Sequence, residues 1–436
     1  MANISYTDYI RTTDPRHQES VHALWQKLQD QGWIYKGCHE GWYSVSDETF
    51  YPENQVCDAI SSDGHSIKVS VETQKPVDWI KEENYMFRLK EFRQPLIQWL
   101  EAHPRAVVPK QRHSEVLMWL KADEGHFHDL SISRPSHRQS WGIRVPGDES
   151  QTIYVWLDAL ANYLTVCGYN KSQTKLDGFP FRTHVIGKDI LRFHAMYWPA
   201  FLMAAGLPLP QQIVAHGHWT VDHVKMSKSL GNVVDPFQLM KAYPVDAVRY
   251  FLLRDGALNA DGDFSEDFLR MRYQVELVNH LGNLLARCLN PVFHDKVDTT
   301  VFKLDKDDEQ LLDQARKLVD VVDPLYMEGD FSHALTHVNR VVSSANQYIT
   351  RKEPWKTIKQ ADTRADAQKV IHLCSKVLAS LGVVLYPVMP SVCEVLLDRL
   401  NVVKECRNAS DISSLLSAVA DINPIPGKFI LLPRLK

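Results

Sequence analysis

Three short apolar runs, each followed by a turn and a helical pattern, constrain the fold of this chain more than any other feature. The runs cover residues 153–157, 183–186 and 213–216. Helical patterns begin after them near Ala159, Asp189 and Pro236, and Asp158 is the predicted N-cap of the first helix. Strand–turn–helix repeated in this way is typical of parallel βαβ units. We therefore predict an α/β domain with a Rossmann-like, doubly wound parallel sheet.

A segment with two lysines follows the third run. Residues Lys225–Asn232 have the sequence K-M-S-K-S-L-G-N and are called the lysine segment below. Ligands bind at the carboxyl ends of strands in such sheets, so we expect this segment at the same edge as Trp156, Gly187 and Asp189. Lysines on a loop can stabilise the negative charge that builds on polyphosphate oxygens in a transition state. The alternative is an ordinary solvated turn.

Composition excludes several classes of protein. The chain has 436 residues, a formal charge of −4, 44% hydrophobic and 23% charged residues, which fits a soluble protein of two or three domains. A weakly acidic chain can bind nucleic acid only through a local patch. The seven cysteines form no C-x-x-C pair, so we expect no zinc and no disulfide framework. The apolar, uncharged run over residues 377–393 contains two prolines and a glycine, so we expect no membrane span there.

Residues 5–110 predict structure and no chemistry. A helix is predicted over 16–31, where apolar residues recur at helical spacing. Aromatic residues then alternate with turn residues over 35–51, which predicts short antiparallel strands. We therefore expect a small inserted β unit over roughly 32–110.

The helix predicted after Asp189 carries Ile190, His194 and Trp198 at positions i, i+4 and i+8, so they share one face. With Trp156 and Tyr163 they would form an apolar, aromatic pocket containing one imidazole. Such a pocket suits a thioether, because sulfur interacts favourably with aromatic edges and needs no strong hydrogen bond. The alternative is an amphipathic helix on its sheet, with His194 as a core histidine.

Arg134 ends a predicted strand over 129–134. Its planar guanidinium could bind a phosphate or carboxylate. The alternative is a surface arginine.

Strand patterns are absent after Ser265. Helical runs cover roughly 265–293, 306–326, 330–352 and 362–397, so we predict a catalytic domain over 1–263 and a helical-bundle domain over 264–436. Asn279, Asn283 and Arg287 form a polar stripe that could contact unstacked bases, and Trp355 could stack on one. The alternative is a solvated helix face and a tryptophan packed in its own domain.

Taken together in their order along the chain, the segments described above resemble those of the methionyl-tRNA synthetases, most closely the zinc-free mitochondrial kind. The first five residues of the lysine segment match the second signature of class I aminoacyl-tRNA synthetases. The similarity covers nearly the whole chain and includes residues 9–17, 35–51, 81–89, 129–134, 154–163, 184–199, 225–229 and 246–253.

The resemblance implies a role for each candidate residue. The methionine pocket would be formed by Trp156, Ala159, Tyr163, Ile190, His194 and Trp198. Gly187, Asp189 and Arg134 would lie near the adenylate, and Lys228, with Lys225 beside it, would contact ATP during catalysis. Asn283, Arg287 and Trp355 would bind the CAU anticodon.

The reaction implied is activation of methionine by Mg-ATP to methionyl-adenylate, followed by transfer to tRNA(Met). The resemblance also implies the mitochondrial matrix as the location and the absence of zinc. Nothing after the last helices resembles an added dimerisation module, so we expect a monomer.

One departure from the family pattern concerns an earlier class I signature, His-x-Gly-His, which the sequence does not contain. His280-Leu281-Gly282-Asn283 is similar but lies in the helical half. We therefore expect that the chain begins beyond this signature and lacks the first strand of the sheet. Two functions are left open: a methionine–tRNA ligase, and a catalytically impaired tRNA-binding fragment of that enzyme. A leucyl-type enzyme fits the aromatic pocket and the compact helical tail less well.

Overall fold

The computed structural model describes residues 2–45, 49–51, 53–61, 63–71, 73–122, 127–170, 178–227, 231–295, 297–299, 302–417 and 422–435. The chain divides into two compact units. The N-terminal unit is Tyr6–Ala215, and the C-terminal unit is His216–Lys436 together with Met1–Ser5.

The N-terminal unit contains five α-helices and twelve strands within its described residues. They are α1 (Pro15–Asp30), β1 (Ile34–Ser44), β2 (Thr49–Tyr51), β3 (Val56–Ile60), β4 (Ser66–Ser70), β5 (Asp78–Phe87), α2 (Arg93–Ala102), β6 (Val107–Val108), α3 (Lys110–Lys121), β7 (Leu130–Ser131), β8 (Ser133–Pro135), β9 (Arg144–Val145), β10 (Asp148–Ile153), α4 (Val155–Thr165), β11 (Thr183–Gly187), α5 (Trp198–Ala205) and β12 (Gln212–His216).

The predicted Rossmann-like sheet is present as three strands in the order β11-β12-β6, and β12 runs parallel to β6. Between β11 and α5 the chain forms a 3₁₀ turn, Lys188–Ile190, and a wider π-type turn, Phe193–Tyr197. Helix α5 ends at Gly206, whose φ of 67° is a left-handed conformation that glycine adopts without strain. The predicted strands at 183–186 and 213–216 are therefore confirmed as β11 and β12.

The inserted β unit is also confirmed. β1 and β5 pair antiparallel from Ile34↔Phe87 to Tyr43↔Asp78, and the sheet order is β2-β1-β5-β7. β3 and β4 form a separate antiparallel pair.

The first predicted βαβ unit is wrong. The strand ends at Ile153, helix α4 already begins at Val155, and β10 pairs antiparallel with β8 and β9. Trp156 and Asp158 therefore lie inside a helix rather than at a strand end and a cap. The apolar residues favour a strand locally, but they pack as a helix because Leu157, Leu160, Ala161 and Leu164 form one buried face.

The described residues of the C-terminal unit are mostly helical, and the helical fold predicted after residue 264 is confirmed. The unit contains β13 (Trp219–Val221), β14 (Val224–Lys225), α6 (Pro236–Ala242), α7 (Val245–Asp255), β15 (Gly262–Asp263), α8 (Glu266–Arg272), a π-type stretch (Tyr273–Gly282), α9 (Asn283–Cys288), α10 (Lys306–Glu328), α11 (Phe331–Lys352), α12 (Pro354–Thr357), α13 (Arg364–Leu385), α14 (Pro390–Arg399) and α15 (Ile412–Leu415).

Helix α7 packs on the helical bundle. Ala247 and Tyr250 belong to the same buried apolar cluster as the residues of α9, α10, α11 and α13. The Arg249 guanidinium donates to the carbonyl oxygens of Pro387 and Val388, each at 2.8 Å. The Asp246 carboxylate accepts the Val392 backbone N–H at 2.7 Å. Arg249 thus ties α7 to the turn between α13 and α14, and Asp246 ties α7 to the first turn of α14.

Helix α13 is long and apolar enough to cross a membrane, but 94% of its most apolar window is buried inside the protein. It is the central helix of the bundle, because α9, α10, α11 and α14 all pack against it.

Candidate functional site

A hydrogen-bonded pair, Tyr163 and His194, joins α4 to the π-type turn. Tyr163 Oη and His194 Nε2 are 2.9 Å apart, and His194 Nδ1 is 3.0 Å from the Ile190 carbonyl oxygen. A carbonyl can only accept, so His194 Nδ1–H is the donor to Ile190. Nε2 of the neutral ring then accepts the Tyr163 hydroxyl hydrogen. The imidazole is therefore held in one tautomer by two elements.

Aromatic side chains surround this pair. Trp198 is fully buried, and its ring lies 5.8 Å from that of Tyr163. His184 from β11 is 3% exposed and lies 4.1 Å from the Tyr163 ring. Trp156 stacks on Phe193 with the ring centroids 3.5 Å apart. The structure thus brings Tyr163, His194 and Trp198 together as predicted.

Burial keeps the cluster uncharged. It raises the pKa of Tyr163 to about 12 and lowers the pKa of His194, although the hydrogen bond to Ile190 opposes that shift. The pKa of His184 falls to about 4, first because the ring is buried and second because of His194. Near pH 7 the cluster is therefore polar but neutral, which suits an uncharged substrate side chain.

Sequence reasoning missed His184 and Phe193. A signal for His184 was available in the period of two along β11, where His184 and Ile186 are buried and Val185 between them is 68% exposed. No such pattern identifies Phe193, since it lies in the π-type turn, where helical spacing changes.

Residues predicted near the adenylate occupy two places in the N-terminal unit. Gly187 is the last residue of β11, and Asp189 is exposed in the 3₁₀ turn that follows it. Arg134 lies in β8 and is 6% exposed, so the alternative of a surface arginine is wrong.

The Arg134 side chain contacts its own neighbourhood. Nη1 donates to Ser131 Oγ and to the Ser133 carbonyl oxygen, both at 2.8 Å, and the guanidinium lies 4.1 Å from the centre of the Tyr154 ring. Burial lowers its pKa. Its role toward a ligand remains a prediction.

We expected the lysine segment to follow β12 directly. Instead, a hairpin formed by β13 and β14 lies between them. β13 and β14 pair antiparallel, and the turn residues Asp222 and His223 have φ values of 51° and 61°. Asp263 Oδ1 accepts the Thr220 hydroxyl at 2.6 Å and the His223 backbone N–H at 2.9 Å, and these hydrogen bonds lower the pKa of Asp263. Lys225 is exposed at the end of this anchored hairpin. Lys228 lies outside the described residues.

Two of the three predicted anticodon residues line one groove. Asn283 and Arg287 contribute from α9, and Arg287 Nη1 lies 3.4 Å from Thr350 Oγ1 of α11. The groove has a volume of about 470 Å³ and is lined by Asn279, His280, Asn283, Arg287, Asn346, Gln347, Thr350 and Arg351. These are amides, hydroxyls and cations, which can bind base edges and phosphates. Trp355, on α12, is 44% exposed and does not line this groove.

Across the ranges that the structure covers, no three His, Cys, Asp or Glu side chains are grouped as ligands for a metal ion.

Comparison with known proteins identifies the family. A family model described as "tRNA synthetases class I (M)" matches residues 1–289. A model of the anticodon-binding domain of methionyl tRNA ligase matches residues 299–426.

Named relatives agree with these matches. The mitochondrial methionine–tRNA ligase of Homo sapiens is 42% identical, with 100% of this chain and 76% of the human protein covered. That of Takifugu rubripes is 44% identical, with 95% and 71% covered. The crystal structure of Mycobacterium tuberculosis methionyl-tRNA synthetase bound by methionyl-adenylate has a TM-score of 0.89 at 35% identity, with 99% of this chain and 84% of that one covered.

The fold and these matches define a class I aminoacyl-tRNA synthetase. Within that class, the chain belongs to the methionyl-tRNA synthetase family.

Proposed function

We propose that the chain is a methionine–tRNA ligase that activates methionine with Mg-ATP and transfers the methionyl group to tRNA(Met). The observation that carries this proposal is the neutral Tyr163–His194 pair inside an aromatic cluster. It supports a pocket for an uncharged thioether, and the lysine segment in the same chain supports a polyphosphate substrate.

In the first step, a methionine carboxylate oxygen attacks the α-phosphorus of ATP and pyrophosphate leaves. Trp156, Ala159, Tyr163, Ile190, His194 and Trp198 would hold the methionine. Charged side chains would lose solvation in such a pocket without gaining a counter-ion, so they would be rejected. Gly187, Asp189 and Arg134 would lie near the adenylate.

Lys225 and Lys228 would stabilise the transition state of this step. Negative charge accumulates on the phosphate oxygens as the bond to pyrophosphate breaks, and an ammonium group that contacts those oxygens lowers the barrier. No protein nucleophile is required, because the enzyme's contribution is positioning and electrostatic stabilisation.

In the second step, a ribose hydroxyl of the terminal tRNA adenosine attacks the methionyl carbonyl and AMP leaves. The CAU anticodon would be bound by Asn283 and Arg287, which line the groove beside α11, and by Trp355, which follows the C-terminal end of α11 by three residues. The names of the relatives support a mitochondrial role; we extend it to the matrix, with a monomer that uses no zinc.

The test is methionine-dependent ATP–pyrophosphate exchange by the purified chain. We expect exchange that falls by about 10²-fold or more in Lys228→Ala, because a transition-state contact is removed. Lys241→Ala is the matched control, since this exposed lysine lies on α6 outside the lysine segment. Exchange that is equal in the parent and in Lys228→Ala would contradict the assignment.

A second function, tRNA binding without adenylation, rests on the match of residues 299–426 to an anticodon-binding domain. The same preparation decides between them. A folded chain that binds tRNA(Met) but gives no exchange would support this second function.

A further inference from the structure

The side chain of Asn232, the last residue of the lysine segment, bridges two backbone groups at the start of the segment. Ser227 N–H donates to Asn232 Oδ1 at 2.8 Å, and Asn232 Nδ2 donates to the Lys225 carbonyl oxygen at 3.2 Å. The partners fix the orientation of the carboxamide, because an N–H can only donate and a carbonyl can only accept. We call this pair of hydrogen bonds the Asn232 bridge.

The bridge reproduces the pairing of a β-strand. In an extended strand, the carbonyl of one residue and the N–H of the residue two positions later point to the same side, where a parallel neighbour would pair with both. A carboxamide has the same donor and acceptor as a peptide group. Asn232 therefore makes, with the end of β14 and the two residues after it, the two hydrogen bonds that a neighbouring strand would make.

The backbone before Asn232 favours this return of the chain. Gly231 has a φ of +67°, and nothing lies within 4 Å of where its Cβ would be. A residue with a side chain would be strained in this conformation, whatever space is available. The glycine thus turns the chain so that the next side chain faces Lys225.

We propose that Asn232 is a positioning residue for the adenylation step, acting through Lys225. The bridge fixes the Lys225 carbonyl at the end of a hairpin that Asp263 already anchors. The Lys225 side chain therefore starts from a fixed backbone position and needs little further ordering to contact the phosphates. This inference rests on the proposed function, but the bridge itself can be tested without catalysis.

Trypsin provides that test, because it cleaves after Lys225 and must engage the same carbonyl that Asn232 holds. Asn232→Ala removes both hydrogen bonds, and Asn232→Asp keeps an acceptor for Ser227 but loses the donor to Lys225. We expect cleavage after Lys225, followed by mass spectrometry of the full chain, to accelerate about fivefold or more in both variants.

Asp235→Ala is the control for local stability. Asp235 caps α6 by accepting the Phe237 N–H at 2.8 Å and makes no contact in the bridge. We expect its cleavage rate after Lys225 to stay within about twofold of the parent.

The catalytic part is tested by ATP–pyrophosphate exchange in the same variants. We expect kcat to fall about tenfold or more in Asn232→Ala and Asn232→Asp, with KM for ATP changed less than about threefold, and neither to change in Asp235→Ala. Unchanged cleavage in the Asn232 variants would overturn the bridge whether or not the chain is active. Faster cleavage with unchanged kcat would overturn the positioning role alone. Absence of exchange in the parent chain would overturn the proposed adenylation and the positioning role together, while cleavage would still decide the bridge.

Discussion

Replacing His184 by glutamine should make the stability of the N-terminal unit depend less on pH between pH 6.5 and about pH 4. The upper limit is the ordinary pKa of histidine, and the lower limit is the lowered pKa of His184. The ring is 3% exposed, so the folded unit disfavours its charged form. Between these two pKa values the unfolded chain binds the proton and the folded chain does not. Stability from the neutral ring is therefore complete above pH 6.5 and is lost as the pH falls toward 4.

The magnitude follows from the difference between the two pKa values. One pKa unit corresponds to about 1.4 kcal/mol, so the parent should lose about 2 kcal/mol through His184 between about pH 7.5 and about pH 5. His194 contributes in the same direction, because burial also lowers its pKa. Its contribution is present in the parent and in His184→Gln, so the difference between the two chains isolates His184.

Urea unfolding of the parent and of His184→Gln, followed by tryptophan fluorescence at about pH 7.5 and about pH 5, measures how much unfolding free energy each chain loses with pH. A constant cost of the substitution cancels, since only the change with pH is compared. His137→Gln is the control, because His137 is exposed in the same unit. Equal losses of unfolding free energy in the parent and in His184→Gln would refute the reasoning.

Three further results are expected. Tyr163→Phe leaves His194 Nε2 without its donor and should lower the free energy of unfolding in urea by about 1–3 kcal/mol. In the control Tyr169→Phe, the hydroxyl that is removed has no hydrogen-bond partner in the described part of the chain, so the loss should be under about 0.5 kcal/mol. Equal losses in the two variants would contradict this. Asp308→Ala removes the nearest carboxylate from buried Lys369, whose Nζ lies 2.9 Å from Asp308 Oδ2, and the acceptor of the Tyr348 hydroxyl. It should cost about 3–5 kcal/mol in thermal unfolding; the double variant with Lys369→Met should recover part of that loss, and no recovery would contradict the explanation. Arg287→Ala should weaken binding of tRNA(Met) and reduce the salt slope of the binding constant by about 1 in filter binding; an unchanged slope would indicate that this cation contacts no phosphate.

Local patterns predicted β11, β12 and the long helices of the C-terminal unit because each has one dominant period and clear ends. They failed at residues 153–157, where strand-favouring residues run into the helical spacing of Leu157, Leu160, Ala161 and Leu164. A contact from outside the run also holds this helix. Asp158 Oδ1 lies 2.6 Å from Nε2 of fully buried His17, which is 141 residues away in sequence. No window around Asp158 contains that partner.

Helical spacing predicted that Ile190, His194 and Trp198 share one face, and the structure places His194 and Trp198 beside Tyr163. The hydrogen bond between His194 Nδ1 and the Ile190 carbonyl oxygen was not predicted. Phe193, which stacks on Trp156, and the hairpin that carries Lys225 depend on a widened turn and on a carboxylate, Asp263, that comes 38 positions after Lys225 in the chain. Such features follow from tertiary contacts, which spacing does not encode.

The packing of α7 determines where the chain can be cut to study its helical part alone. A fragment beginning at residue 264 would lack Ala247 and Tyr250, and the apolar cluster they help to close would be open to water. It would also leave the first turn of α14 without the Asp246 carboxylate. A fragment beginning at or before Val245 keeps these groups. In such a fragment, a loss of anticodon binding can be attributed to the substituted residue and not to unfolding of the helical bundle.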